Sequence, residues 1–83
     1  MAIGEKYILK TISEALERSI TQSDLNKRME DLEINSIFFV KIVIKCEQKF
    51  NFEFEDEMLV MNRFENLGDF VNYVKKMAIK TNN

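Results

Sequence analysis

In the stretch "EINSIFF", residues 33–39, one serine, Ser36, stands where a polar segment gives way to a strongly apolar run. A serine hydroxyl can act as a nucleophile, as a helix cap or as a point of covalent attachment. The first use needs a base, and the chain has no histidine, so neither a Ser-His pair nor an ordinary zinc site can be built. No lysine adjoins Ser36 in sequence, and Lys41 or Lys45 reaches it only if folding brings them together. An independent hydrolase is disfavoured on these grounds. Cys46, the sole cysteine, lies inside an apolar run and reads as a small buried thiol rather than a reactive one. The acidic stretch "EFEDE", residues 53–57, lacks the spacing of a calcium loop and reads as a solvated face. Two isolated glycines, Gly4 and Gly68, cannot form a phosphate-cradling loop.

Whatever Ser36 does, a helix must position it. Asn35 is a good N-cap, so the second helix is expected over about residues 36–50 with Ser36 at its first position. Phe39, Ile42, Val43, Cys46 and Phe50 share one side of that helix, which is the core side. Ile37, Val40 and Ile44 form a second row, edged by Lys41, Glu47 and Gln48. Ahead of it, Ile8, Ile12, Ala15, Leu16 and Ile20 predict an amphipathic first helix over residues 5–20. Residues 21–35 read as a long loop that buries Leu25, Met29, Leu32 and Ile34, with a helical turn after Thr21.

After the second helix, "FNFEFE", residues 50–55, has a strand period but no partner strand. It is expected to be an extended connector that tucks Phe52 and Phe54 inward. Asp56 is placed to cap a short helix through Met58, Leu59, Val60 and Met61. A last helix begins after Asn66, with Asp69 as a variant capping box and Leu67, Phe70, Val71, Val74 and either Ala78 or Met77 buried. Lys75, Lys76 and Lys80 fall near its C-terminal end, where the helix dipole favours cations. The expected fold is all-α, a small four-helix bundle of three main helices and one short one. Its core should include Leu16, Leu32, Phe39, Phe50, Phe54, Phe64 and Phe70.

Composition bounds the function. Eighty-three residues suffice for one domain, expected over 1–83 with a core of about 5–80 and a frayed tail at 81–83. The chain is 46% hydrophobic and 31% charged and lacks proline, as suits helices joined by short loops. A formal charge of −2 and a pI near 5.1 leave no electrostatic footprint for nucleic acid. The first residues lack a signal peptide's apolar stretch and no run reaches membrane-spanning length, so a cytoplasmic monomer without membrane insertion is the expectation.

The segment "EDLEINSIFFVKIVIKCEQKFNFEFEDE", residues 30–57, followed by "NRFENLGDFVNYV", residues 62–74, resembles the acyl carrier/peptidyl carrier family. The likeness lies in an acidic-leucine loop, a serine triplet opening the second helix, a glutamate-rich turn with phenylalanine, and an amphipathic last helix. It implies that Ser36 carries 4′-phosphopantetheine through a phosphodiester, with an acyl or aminoacyl group held on the arm's thiol. It implies as partners a phosphopantetheinyl transferase, an acyl- or aminoacyl-loading enzyme, and downstream transferases or synthases. The carrier itself would not be an enzyme.

Two positions depart from the family pattern. Asn35 stands where aspartate is usual, and Glu33 stands where glycine is common and adopts positive φ more cheaply. These departures keep open an alternative, an unmodified helical module of the same fold that binds proteins non-covalently. For a carrier, Ile37, Val40 and Ile44 are the candidate docking row, unless the preceding loop or the short helix covers them. Phe38, on the Lys41–Lys45 side, is a candidate partner contact unless the loop covers it. Many fatty-acid carriers present an acidic second helix, whereas this one has Lys41, Lys45 and Lys49. A specialised aminoacyl, peptide or polyketide-type pathway fits that charge better than bulk fatty-acid synthesis.

Overall fold

The computed structural model describes residues 4–81. Three α-helices pack together: α1 (Glu5–Leu16), α2 (Ser36–Phe50) and α3 (Leu67–Thr81). Among the described residues there is no β-strand. Single 3-10 turns, Gln22–Asp24, Glu30–Leu32, Asp56–Met58 and Met61–Arg63, punctuate the two long connections. Every one of the seven expected core residues is buried, and so are Ile8, Ile12, Ile42, Phe52, Leu67, Val71 and Val74. Helix α3 runs through Thr81, the first residue of the expected frayed tail, and residues 82–83 of that tail lie outside the described residues.

Helix α1 is one turn shorter than its apolar spacing predicts. It stops at Leu16 because Glu17 turns into the left-handed region, φ 56° and ψ 38°. The N–H groups of Glu17 and Arg18 then reach back to the carbonyls of Glu14 and Ser13, the closed end of a Schellman motif. Ser13 reinforces the stop. Its Oγ donates to the Leu9 carbonyl at 2.8 Å and accepts the Ile20 N–H at 2.9 Å. Ile20 is therefore buried as periodicity suggests, but from a loop folded back on the helix.

The long loop after α1 behaves as a structured strap. Thr21 and Asp24 form a reciprocal capping box around the Gln22–Asp24 turn, the helical turn expected after Thr21. Met29, Leu32 and Ile34 are buried and Leu25 is half-buried, so the strap is anchored by its apolar residues. Its carbonyls at Leu25 and Lys27 accept the first N–H groups of α3, from Gly68 at 2.8 Å and Leu67 at 2.9 Å. A side chain on Gly68 would place Cβ 3.1 Å from the Leu25 carbonyl oxygen, so glycine permits this close approach.

The connector after α2 is extended and solves its hydrogen bonding without a partner strand. Asn51 takes the left-handed conformation that ends α2, a role asparagine fills readily. Phe54 N–H then donates to Glu47 Oε2 at 2.9 Å, and Glu55 N–H to the Tyr73 hydroxyl at 3.1 Å. Phe52 and Phe54 turn inward as expected. The anticipated short fourth α-helix is replaced by the two turns Asp56–Met58 and Met61–Arg63, with Val60 extended between them at φ −120° and ψ 121°. Leu59 and Val60 are exposed while Met58 and Met61 pack on the core. So short a run cannot offset the cost of helix nucleation without a continuous apolar face.

Candidate attachment site

Ser36 is delivered to the surface by buried residues on either side of a tight reversal. Leu32 and Ile34 are anchored in the core, and Ile34 N–H donates to the Met29 carbonyl at 2.9 Å. Between them Glu33 occupies the left-handed region at φ 59° and ψ 33°. The Arg18 guanidinium donates to the Leu32 carbonyl, linking the end of α1 to this reversal. Asn35 follows in an extended conformation, and its Oδ1 accepts the Phe38 N–H at 2.9 Å. Ser36 is then exposed as the first residue of α2.

The chemistry this geometry favours is that of an esterified anion. No acidic residue occupies the first turn of α2. Among the described residues, no bond takes the N–H of Ser36 or Ile37, since the cap uses Phe38 and the Asn35 carbonyl accepts Phe39. A phosphate ester on the Ser36 oxygen would lie beside those N–H groups and the positive end of the helix dipole, a stabilisation of about 0.3–1 kcal/mol. The residues present therefore fit a phosphodiester, and among the described residues no hydrogen bond joins the Ser36 hydroxyl to the side chain of a base. Cys46 is no competitor as a nucleophile, being buried, with burial pushing its thiol up to about 12.

A family model described as the phosphopantetheine attachment site matches residues 6–74. The chain belongs to that family. Its cofactor is covalently attached 4′-phosphopantetheine, and its role is that of a carrier domain. It is similar to the meromycolate extension acyl carrier protein of Mycobacterium leprae, 30% identical over 82 residues, covering 93% of this chain and 70% of the relative. It is also similar to an acyl carrier protein homolog of Mycoplasma genitalium, 31% identical over 62 residues, covering 75% of this chain and 71% of the relative. No solved structure matches the carrier.

The residues singled out around Ser36 divide into an open row and a partly covered one. Ile37, Val40 and Ile44 are 68%, 52% and 47% exposed, so neither the strap nor the segment after α2 buries them. Phe38 is half-buried against the core, and the Lys41 ammonium lies 5.4 Å from its ring centre. Part of the surface expected for a partner is thus taken up inside the carrier. Lys49 likewise lies 5.8 Å from the Tyr7 ring. Glu47, read as an edge of the exposed row, turns its carboxylate to the Phe54 N–H. The sequence gives no signal for the Arg18 contact, which spans 14 positions. Glu33 did carry one, since glycine is common at its place in the resembling family.

Among the described residues no helix is long and apolar enough to cross a membrane, and no group of three or more acidic or sulfur side chains could hold a metal.

Proposed function

We propose that Ser36 is the residue that bears the 4′-phosphopantetheine arm, and that the carrier presents an acyl or aminoacyl group to a succession of partner enzymes. When attached, the arm supplies a terminal thiol that holds the cargo as a thioester. The observation that supports this reading most is an exposed serine hydroxyl at the start of a capped helix, inside the matched family region. Asn35 fixes the turn on which the hydroxyl sits, and the N–H groups of Ser36 and Ile37, at the start of the helix, are left for an anion there. No hydrogen bond among the described residues ties the hydroxyl to a base, so a phosphopantetheinyl transferase supplies one.

Ile37, Val40 and Ile44 form the docking row, with Phe38 and Lys41 at its edge. A tethered cargo turns each transfer into a local encounter, so small and weak interfaces suffice. Lys41 and Lys49 are exposed and Lys45 is partly so, which suits loading enzymes and synthases other than those built for acidic carriers. A specialised aminoacyl, peptide or polyketide-type pathway is the setting this charge supports. Intact-mass analysis after incubation with coenzyme A and a broad-specificity phosphopantetheinyl transferase tests the assignment. The expected result is a gain of one phosphopantetheinyl unit that Ser36→Ala abolishes. No gain with several transferases, or an undiminished gain in Ser36→Ala, would overturn it; the former outcome favours an unmodified protein-binding module.

A further inference from the structure

The open side of α2 and the adjoining end of α1 carry three bands of different character. The first is apolar, Ile37, Val40 and Ile44, all exposed. The second is cationic: Lys41 and Lys45 lie one step around α2 toward α1. The third is anionic, with Glu14 and Glu17 of the α1 end across a groove of about 350 Å³ that Ala15, Ile44 and Gln48 also line. No ion pair closes this groove. The ion pairs among the described residues are Lys27 with Asp24 and Arg28 with Glu30. Lys41 lies over the Phe38 ring instead, and Glu47, the one carboxylate of α2, is engaged by the connector backbone. Opposite charges therefore face each other over open space beside an unpartnered apolar row.

We propose that this face receives a protein element whose surface carries the complementary order: apolar side chains over Ile37, Val40 and Ile44, carboxylates over Lys41 and Lys45, and cations toward Glu14 and Glu17. The proposal rests on the reading of α2 as the docking helix and adds which partner chemistry it selects and in which orientation. A uniformly basic surface meets repulsion at the lysine band, and a uniformly acidic one meets it at the glutamates. Only the ordered pattern satisfies both, so the bands set the direction in which a partner lies across the groove.

Two synthetic amphipathic helical peptides test this, alike in their leucine stripe but with the order of glutamates and lysines beside it exchanged. Each is titrated into isotope-labelled carrier while backbone amide shifts are followed. The complementary peptide should bind about fivefold more tightly, given the modest worth of surface charge pairs. Its shifts should map to α2 and the end of α1. In a Lys41→Glu/Lys45→Glu/Glu14→Lys/Glu17→Lys carrier the preference should reverse, with circular dichroism confirming that the variant folds. Equal binding of both peptides on α2 overturns the charge order while leaving the docking row intact. Shifts confined to other helices, or none from either peptide, overturn both. Concentration-dependent self-association through this face, seen by sedimentation, assigns it to a second copy and overturns the proposal. The mass gain at Ser36 is independent of every one of these results.

Discussion

The side chain of Asn35 accepts the backbone N–H of Phe38 at 2.9 Å, so the residue before the exposed serine ties down the turn which that serine begins. Replacing a capping asparagine by alanine removes the acceptor and costs about 1 kcal/mol. Asn35→Ala is therefore expected to lower the urea midpoint. Asn35→Asp keeps the acceptor and adds a charge that the helix terminus favours by about 0.3–1 kcal/mol. It should match or exceed the parent. Equal midpoints for Asn35→Ala and the parent would show that the cap contributes nothing.

Glu33 has a left-handed backbone, φ 59°, just ahead of that cap. An L-residue with a β-carbon is disfavoured there by roughly 1–2 kcal/mol, whereas glycine is not. Glycine also raises the entropy of the unfolded chain, which offsets about 0.5–1 kcal/mol of the gain. Glu33→Gly is expected to stabilise the carrier by about 0.5–1 kcal/mol, the difference between these terms. Glu33→Ala retains the strain and should show no such gain. A Glu33→Gly protein that melts below the parent would mean that the Glu33 side chain contributes more than its backbone costs.

Helix α2 was legible in the sequence, because a strong cap and an unbroken apolar face agree; its end at a left-handed Asn51 is supplied by the structure. Phe39, Phe50 and Phe70 fall on the apolar face of a helix and Phe52 and Phe54 at alternate positions of the connector, so they were legible for the same reason, whereas Phe64 lies in the segment before α3 and follows neither period. Where periodicity and local chemistry disagreed, chemistry decided. Ile20 kept the spacing of α1, yet the Ser13 hydroxyl and the turn at Glu17 placed it in the loop. The run from Met58 to Met61 held enough apolar residues for a helix but divided them between core and solvent. At the site, Ser36 could be singled out from the residues beside it. The glutamates opposing Lys41 and Lys45 could not, since no sequence pattern tells which exposed face of α1 lies against α2.

Phe70 ties three segments of the core together. It is fully buried, and its centre lies 5.9, 5.6 and 5.2 Å from those of Phe39, Phe54 and Phe64. It thus joins α3 to α2, to the connector and to the segment before α3. Truncating such a ring to alanine costs about 3–5 kcal/mol, a large part of the roughly 5–15 kcal/mol that holds a domain folded. Phe70→Ala is expected to lose its cooperative thermal transition, while Phe70→Leu keeps one at a lower temperature. An unshifted, sharp melt of Phe70→Ala would refute the role of this ring.

Cys46 offers a pH-dependent view of the same core. Its side chain is fully buried, and burial pushes the thiol from an ordinary 9.0 up to about 12, with Glu47 adding to the shift. Below pH 9.0 the thiol is protonated in folded and unfolded chains alike, so it adds no pH dependence there. Between pH 9.0 and about 12 the unfolded chain gives up a proton that the folded one retains, and stability falls as pH rises through that window. Cys46→Ala should remove this component of the alkaline loss, which urea titrations of both proteins at a series of pH values would measure. The same burial governs labelling. At pH 8 a thiol reagent should modify the native carrier only through transient opening, at least roughly a thousandfold more slowly than the urea-unfolded chain. Native labelling within about tenfold of the unfolded rate would place the thiol at the surface and contradict the packing of α2 against the core.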